Sequence, residues 1–463
     1  MLNHHPSRLT IVGCLLLVAA AAQGQWVEDS IDVGGWNVSG LVYNSRAGVV
    51  YGRCFYGENF FAIACSTNEL VSQIPVTYPI ATAYNSTDNR AYCTFSYHGE
   101  DSVLVVDGST HTRIKAVRVD GAYQPVWDRI SNRLYITCFG YRDIAVYDCA
   151  SDSVVARIPL PDDPIGLTIN TRRRKLYAQG DANMAVTVVD LTTNQVTSNV
   201  HVGDYLNAGC YSTAGDKYYC DGAEGIAVID GVGDSLLKQI GLPRGYSLKD
   251  MVAVESESLV MAAACSGNSD SVFSIDVVHD SLVAAVRVKM PRELVYSPAS
   301  RVVYCTNGSL WDNLSVISAD GMRVVGSVQV GDEPSALVTC PPRAKLYVGH
   351  SGMTPMVYVV RDQVGGVGEV VGVGIAAKGV LRARPNPFRA EVGFEVCPAA
   401  ASSVLRVYTP GGRLVRHVGT IGQDSRSRTW NGTDQMGRAA PPGIYLAVVE
   451  GRATARVQLV KLR

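Results

Sequence analysis

Residues 294–335, LVYSPASRVVYCTNGSLWDNLSVISADGMRVVGSVQVGDEPS, contain one complete copy of a pattern that recurs along the chain. A run of β-forming residues ends at a turn, a second run carries Tyr304, a third carries Val316, and a fourth ends at Gly331. Short runs in which apolar and polar residues alternate, separated by turn residues, are typical of β-strands. This copy therefore predicts four short strands.

The position of Tyr304 has a counterpart in every copy. The anchor residues are Tyr51, Tyr92, Tyr135, Tyr177, Tyr219, Met261, Tyr304 and Tyr347. Successive anchors are 41 to 43 residues apart. Four-stranded repeats of ~40–45 residues are typical of β-propeller blades. The spacing predicts an all-β chain with an eight-bladed β-propeller; seven blades are the alternative if one terminal copy lies outside the ring.

The first part of the repeat region predicts how the ring closes. Residues 27–40 (VEDSIDVGGWNVSG) contain only the last strand of a copy. We expect this strand to complete the copy at residues 337–361, because such pairing removes the exposed edges of an open ring of sheets. The predicted propeller domain spans residues 25–365.

Charge separates the propeller from a second domain. The chain has 463 residues and a net charge of -1. Residues 25–375 hold 26 basic and 37 acidic side chains, whereas residues 376–463 hold 14 and 5. This asymmetry predicts a domain boundary, with a Gly/Val-rich linker at 366–379 and a small Ig-like β-sandwich at 380–463. There is no overall basic excess, which gives no support to a nucleic-acid partner.

Residues 1–24 have the pattern of a signal peptide. Arg8 precedes an apolar run of 14 residues, and small residues follow before Gln25. That run is too short to cross a ~30 Å hydrocarbon core comfortably. We therefore predict cleavage before Gln25, no membrane span in the mature chain, and a secreted, periplasmic or cell-surface location. A membrane anchor and a lipoprotein cut at Cys14 are the alternatives.

The repeats resemble the YVTN or YncE-like propeller family. The matching segments are residues 132–137 (NRLYIT), 304–307 (YCTN) and 328–334 (VQVGDEP). The resemblance implies the propeller fold and leaves the function open, because such propellers serve many roles.

The tail resembles FlgD/Vpr-type Ig-like domains and the C-terminal sorting domains of type IX secretion. The matching segments are residues 384–388 (RPNPF), 407–415 (VYTPGGRLV), 430–438 (WNGTDQMGR) and 442–445 (PGIY). The resemblance implies an exported bacterial protein whose tail serves in sorting or attachment, with the secretion machinery as a partner.

The sequence contains no recognised catalytic, metal-binding or cofactor-binding motif. We predict no catalytic residues, no metal and no cofactor. Five cysteines follow the anchors in different copies, and burial as small apolar side chains is the expectation for them. They are Cys54, Cys93, Cys138, Cys220 and Cys305. Disulfides within a copy, such as Cys54 with Cys65 or Cys138 with Cys149, stay open.

Aromatic residues recur in the loops that join one copy to the next. The candidate ligand-binding residues are Trp36, Tyr78, Tyr123, Tyr205 and Tyr246. Loops after the second strands add Tyr97, Tyr141 and Trp311 on the same face. Together they predict an aromatic-lined mouth that binds a glycan, a peptide, a protein or a small ligand. The competing interpretation is that these rings only pack between neighbouring blades and bind no ligand.

Three functions follow from these observations. The first is an exported, noncatalytic propeller that serves as a binding or surface-interaction module. The second is a propeller enzyme, a lactonase-like hydrolase or a quinoprotein-like oxidoreductase, with its site in the central funnel. The third is a structural component of the cell surface.

Overall fold

The structure is a computed structural model that describes most of the chain from residue 25 onward. The described residues are 25–96, 101–243, 245–267, 269–308, 311–321, 323–353, 355–362, 380–384, 388–397, 403–409, 414–421, 427–450 and 455–461. The predicted signal peptide, the predicted linker and Tyr97 lie outside them. The described part is all-β, apart from two 3-10 turns at Glu255–Glu257 and Pro341–Arg343. No helix in this part is long and apolar enough to cross a membrane.

Eight antiparallel four-stranded sheets, here called blades, make up the described part of residues 25–362. The chain begins with β1 (Gln25–Asp32). Blade 1 contains β2 (Val38–Asn44), β3 (Val49–Cys54), β4 (Asn59–Ala64) and β5 (Glu69–Pro75). Blade 2 contains β6 (Pro79–Asn85), β7 (Arg90–Phe95), β8 (Ser102–Asp107) and β9 (Arg113–Arg118). Blade 3 contains β10 (Ala122–Asp128), β11 (Arg133–Cys138), β12 (Asp143–Asp148) and β13 (Ser153–Pro159).

The remaining blades repeat this order. Blade 4 contains β14 (Pro164–Asn170), β15 (Lys175–Gly180), β16 (Ala185–Asp190) and β17 (Gln195–His201). Blade 5 contains β18 (Gly209–Ser212), β19 (Lys217–Gly222), β20 (Gly225–Asp230) and β21 (Leu236–Gly241). Blade 6 contains β22 (Ser247–Val254), β23 (Leu259–Cys265), β24 (Ser271–Asp276) and β25 (Ser281–Arg287). Blade 7 contains β26 (Pro291–Ser297), β27 (Val302–Asn307), β28 (Asn313–Ser318) and β29 (Val324–Gln329). Blade 8 contains β30 (Pro334–Cys340), β31 (Lys345–His350), β32 (Met356–Asp362) and β1.

The hydrophobic core lies between blades. The second and third strands are buried on both faces, as in β3, where five of the six residues are buried. Tyr51 and Phe60 of blade 1, for example, pack in one cluster with Ala91 and Leu104 of blade 2. Outer strands such as β5 alternate between exposed and more buried residues because one of their faces meets solvent. The low content of charged residues thus reflects strands that are covered on both sides.

The ring closes on itself. The first strands contact one another in cyclic order, from β2 with β6 through to β30 with β2. Strand β1 pairs antiparallel with β32, from Gln25 opposite Asp362 to Asp32 opposite Met356. The predicted closing strand is therefore confirmed, although it ends at Asp32, and Val38 already begins blade 1. The outer strand of blade 8 therefore comes from the opposite end of the domain's sequence.

Hydroxyl groups of the anchor tyrosines connect one blade to the next. The Tyr219 hydroxyl donates to Asp280 in the outer turn of blade 6 at 2.8 Å, and the Tyr135 hydroxyl donates to Asn194 of blade 4 at 3.1 Å. Across the closing interface, the Tyr347 hydroxyl of blade 8 donates to Asn68 of blade 1 at 3.4 Å. The anchor pattern seen in the sequence is thus an inter-blade contact as well as a packing position.

Tyr219→Phe is expected to lower the free energy of unfolding by about 1–2 kcal/mol, because it leaves the partly buried Asp280 carboxylate with one donor fewer. Tyr92→Phe is the matched control. The buried Tyr92 hydroxyl has no hydrogen-bond partner among the described residues, and it lies beside the weakly polar thiol of Cys149. The control should be neutral or slightly stabilising. Urea denaturation of both variants checks this, and equal losses would contradict the assignment.

The tail forms a small β-sandwich. One sheet contains β33 (Val380–Arg384), β34 (Val392–Cys397) and β37 (Ser427–Trp430). The other contains β35 (Ser403–Tyr408), β36 (Leu414–Ile421), β38 (Gly443–Glu450) and β39 (Ala455–Lys461). Both sheets contribute to one core, in which Phe394 and Trp430 pack with Leu405, Tyr445 and Leu459. The tail therefore has a hydrophobic core of its own.

Disulfides within a blade, which the sequence left open, do not fit the strand register. In the β3–β4 hairpin, Cys54 lies opposite Asn59, while Cys65 follows Ala64 at the other end. Cys138 and Cys149 are separated in the same way along β11 and β12. Six-residue strands of ~3.3 Å per residue keep such ends far beyond the ~7 Å that a disulfide permits between Cα atoms.

Candidate functional site

The five candidate aromatic residues fall into three groups. Trp36 stacks on Tyr56 with ring centres 4.3 Å apart, and Phe55 links Tyr56 to Tyr78 through ring contacts of 5.0 and 5.6 Å. These rings join the entry of blade 1 to the entry of blade 2. The rings nevertheless stay exposed, with Trp36 at 39%, Tyr56 at 55% and Tyr78 at 46%.

The second group lies beside blade 3. Tyr123 contacts Phe139 with ring centres 6.1 Å apart, and Tyr141 lies exposed nearby in the same turn as Phe139. Elsewhere on the ring, the Lys289 ammonium sits 5.6 Å from the centre of the Trp311 ring, within the range of a cation–π contact.

The third group lines a groove between blades 5 and 6. Tyr205 and Tyr246 both border a cavity of about 790 Å³, here called the Tyr205–Tyr246 groove. Ligand sites typically measure ~300–1,000 Å³. Tyr205 is 58% exposed, whereas Tyr246 is partly buried. The structure thus brings two of the five sequence candidates to one concave site.

The loop that carries Tyr205 is held in place from below. Leu206 is buried in the core between blades 4 and 5, and the amides of Asn207 and Ala208 donate to Asp221 at 2.9 and 2.8 Å. Gly203 precedes the loop with φ +82, and a Cβ at that position would lie 2.9 Å from the Ala223 side chain. The backbone can approach Ala223 this closely because residue 203 is glycine. The exposed Tyr205 ring therefore stands on a rigid base.

The opposite wall is also anchored. Tyr246 packs edge-on against Phe273 with ring centres 5.0 Å apart, and its hydroxyl donates to the Ser269 carbonyl. On the far side of Tyr246, a second cavity of about 480 Å³ contains Ser269, Phe273 and Arg287. Tyr246 thus lines two neighbouring cavities.

Carboxylates supply the polar part of the Tyr205–Tyr246 groove. Asp204, Asp221 and Glu224 line it, and the described lining residues include no lysine or arginine. Arg244, in the loop that joins blades 5 and 6, lies outside the described residues. Burial raises the pKa of Asp221 to about 6, against the opposing effect of the two amides that donate to it. At neutral pH the groove therefore offers carboxylate oxygens as hydrogen-bond acceptors.

A pair of carboxyl groups that sequence reasoning missed lies on the first strands of blades 6 and 7. Asp250 accepts from the Leu294 amide at 2.7 Å, and Glu293 accepts from the Leu337 amide at 3.3 Å. Both residues are partly exposed to solvent, but many protein atoms surround their carboxyl groups. Desolvation raises the pKa of Asp250 to about 7, and desolvation with the nearby Asp250 charge raises that of Glu293 to about 8.

The strand ends contain a signal for this pair. Four residues before the end of each first strand, the other blades place small residues or a neutral glutamine. These residues are Gly40, Ala81, Gln124, Gly166, Ala208 and Ala336. Asp250 and Glu293 occupy the same place in two consecutive blades. All eight positions lie 11 residues before the anchor of their copy, so an alignment of the copies on their anchors already shows two acids among small residues and one glutamine.

Glu293→Gln is expected to change how stability depends on pH. The folded protein holds protons on Asp250 and Glu293 up to pH 7–8, whereas an unfolded chain releases them near pH 4. These groups therefore make the free energy of unfolding fall as pH rises from about 4 to about 8. The variant should gain on the order of 2 kcal/mol over the parent between pH 5 and pH 9.

Thermal unfolding of both proteins at several pH values checks this expectation. Asp190→Asn is the control of opposite sign, because the amides of Thr193 and Thr192 donate to Asp190 and lower its pKa. The carboxyl group of this aspartate is ionised throughout the range from pH 5 to pH 9. The substitution should therefore change the free energy of unfolding by the same amount at every pH in that range. Parallel pH curves for Glu293→Gln and the parent would contradict the raised pKa.

Within the residues that the structure describes, no group of three or more His, Cys, Asp or Glu side chains is placed to hold a metal ion.

Comparisons with known proteins identify the fold. No family model matches the chain, and no curated protein matches it. The designed protein Ika8 is similar with a TM-score of 0.58 at 12% identity, over 73% of this chain and 99% of that one. Dihydro-heme d1 dehydrogenase NirN, in complex with DHE, has a TM-score of 0.58 at 12% identity, over 70% and 76%. Hydrazine synthase from Kuenenia stuttgartiensis has a TM-score of 0.50 at 16% identity, over 72% and 98%. At these identities the likeness concerns the fold alone, a β-propeller.

Proposed function

We propose that this chain is an exported bacterial β-propeller that binds a glycan without transforming it, in the Tyr205–Tyr246 groove. The observation that carries the proposal is the combination, in one cavity of about 790 Å³, of two tyrosine rings with three carboxylates.

The chemistry of the groove favours a sugar. A pyranose ring has an apolar C–H face that packs on an aromatic ring, and hydroxyl groups at its edge that need acceptors. Tyr205 and Tyr246 supply the rings, while Asp204 and Glu224 supply the acceptors. The anchored loop lowers the ordering cost of binding, because Tyr205 is presented on a fixed backbone.

Export and attachment are parts of the same proposal. They are supported by the signal-like residues 1–24, the YncE-like repeats and the resemblance of residues 380–463 to type IX sorting domains. In a bacterium with such a secretion system, the chain should leave the cell with Gln25 as its first residue. Removal of residues 380–463 should keep it inside, which fractionation and N-terminal sequencing would detect.

Calorimetric titration of the full-length mature chain with neutral oligosaccharides tests the ligand proposal. We expect saturable binding and recovery of the sugar unchanged. A panel of soluble peptides is the second arm. Binding of a peptide by a chain that binds no sugar would overturn the glycan assignment, and conversion of the sugar would overturn the noncatalytic one.

A second candidate function is a propeller enzyme, a lactonase-like hydrolase or a quinoprotein-like oxidoreductase. The observation that favours it is the Asp250–Glu293 pair, because carboxyl groups with a pKa near 7 or 8 can both donate and accept protons at neutral pH. Two proteins of similar fold, NirN and hydrazine synthase, carry the names of enzymes. Turnover of a lactone or alcohol that Glu293→Gln abolishes would favour this candidate.

A further inference from the structure

The interface between neighbouring blades repeats one contact. The residue that follows the third strand of a blade lies against the last residue of the first strand of the preceding blade. Asn44 ends β2, and its side-chain amide donates to the carbonyl of Gly108, which follows β8, at 3.1 Å. Asn85 ends β6, and it contacts the thiol of Cys149, which follows β12.

At the closing interface of the ring, both of these positions are cysteine. Cys340 ends β30 of blade 8, and Cys65 follows β4 of blade 1. Both side chains are fully buried in one hydrophobic cluster, and each thiol lies close enough to perturb the pKa of the other. The repeating interface therefore places this pair side by side, although 274 residues separate them in the sequence.

We propose that Cys65 and Cys340 form a disulfide bond that locks the ring at its closing interface. In the first step, a thiolate of the pair attacks a disulfide oxidant of the glutathione type and releases one glutathione thiolate. In the second step, the other protein thiol attacks the protein sulfur of the mixed disulfide and displaces the second glutathione thiolate. The S–S bond forms, two protons leave the protein thiols, and two electrons reduce the oxidant to two thiols. Both thiols are buried in the closed ring, so the oxidant reaches one of them during folding, and the bond forms as blade 8 docks on blade 1.

The surroundings of the pair favour the reaction. The Lys345 ammonium, which is 4% exposed, donates to the Cys65 carbonyl at 2.8 Å and to Asn68 at 2.7 Å. The neighbouring Cys65 thiol lowers the pKa of Cys340. A thiolate is the nucleophile in disulfide exchange. The contact therefore favours ionisation of one thiol of the pair when the two meet.

Another close pair among the described cysteines does not share this geometry. In blade 5, Gly209 lies opposite Cys220, so Cys210 and Cys220 belong to opposite faces of their sheet. The Cys65–Cys340 inference is independent of the glycan proposal, because the Tyr205–Tyr246 groove lies between blades 5 and 6.

Refolding of the mature chain in a glutathione redox buffer tests the proposal. We expect an intact mass two hydrogens lower than that of the reduced chain, and a cross-linked peptide containing residues 65 and 340. Retention of every thiol in alkylatable form, or a linkage between other cysteines, would overturn it. This readout uses the unaltered sequence, so it does not depend on whether a variant folds.

Substitutions distinguish the stabilising effect of the disulfide bond from that of side-chain packing. A reductant should lower the unfolding temperature of the oxidised parent by several degrees and leave Cys65→Ser and Cys340→Ser unaffected. Cys93→Ser, at another buried cysteine, should keep the reductant sensitivity. Loss of that sensitivity in Cys93→Ser, or its persistence in Cys65→Ser, would contradict the assignment.

Discussion

Replacing Tyr205 and Tyr246 together by alanine is expected to weaken oligosaccharide binding ~30-fold or more, which corresponds to ~2 kcal/mol. The two rings line the same cavity, so the variant loses the apolar surface on both sides of a bound sugar. The loss of Tyr205 should cost little stability, because this ring is largely exposed and Leu206 and Asp221 continue to hold its loop. The loss of Tyr246 also removes the contact with Phe273 and the hydrogen bond to Ser269, so a thermal melt of the double variant accompanies the titration.

The single variants and a control refine this result. Tyr246→Phe keeps the contact with Phe273 and loses only the hydrogen bond to Ser269, so it should bind nearly as well as the parent. Tyr141→Ala removes an equally exposed tyrosine from blade 3 and should leave affinity unchanged. Titration calorimetry measures all four proteins. Equal affinity of the parent and the double variant would eliminate the groove as the glycan site.

Shortening the mature chain so that it begins at Val33 is expected to destabilise the propeller by about 5 kcal/mol or more. The deletion removes all of β1, including the buried Ile31, and it exposes the edge of β32. It also removes Glu28, whose carboxylate lies 3.3 Å from the buried ammonium of Lys345. We expect a lower unfolding temperature and association through the open edge, which thermal melts and size-exclusion chromatography would detect.

Two further proteins keep this prediction testable if the shortened chain does not fold. Ile31→Ala retains the strand and should cost about 2–4 kcal/mol. A chain that ends at Asp362 lacks the tail, whose core contains only tail residues, and its propeller should melt within a few degrees of the parent. An unchanged unfolding temperature for the chain that begins at Val33 would show that β1 does not close the ring.

The fold could be predicted from the sequence because its determinants are local and repeated. The regular spacing of Tyr51 and its counterparts marks one strand per blade, and alternation within each copy marks the others. In the tail, runs of alternating β-forming residues at 392–396, 404–408, 444–449 and 455–459 predict four strands, and their bounds lie within two residues of β34, β35, β38 and β39. Strands β33, β36 and β37 were not predicted, because Arg and Thr interrupt their apolar pattern.

The site was less predictable because its parts come from different blades. The repeat spacing identified Tyr205 and Tyr246 as candidate ligand-binding residues. It identified Trp36 and Tyr78 equally, although these two contact other aromatic rings in the structure. Contacts between blades join residues far apart in the chain. The Asp250–Glu293 pair therefore escaped a motif search.

The tyrosine hydroxyl contacts between blades have a consequence for motion. Because Tyr347 of blade 8 donates to Asn68 of blade 1, the blade in which the domain's two ends meet is tied to its neighbour as blades 3 and 5 are tied to theirs. In a linear stack of repeats the terminal units fray first, since each has a neighbour on one side only. Here every blade must break contacts on two sides to open, so backbone amides in blade 8 should exchange with solvent about as slowly as those in blade 4.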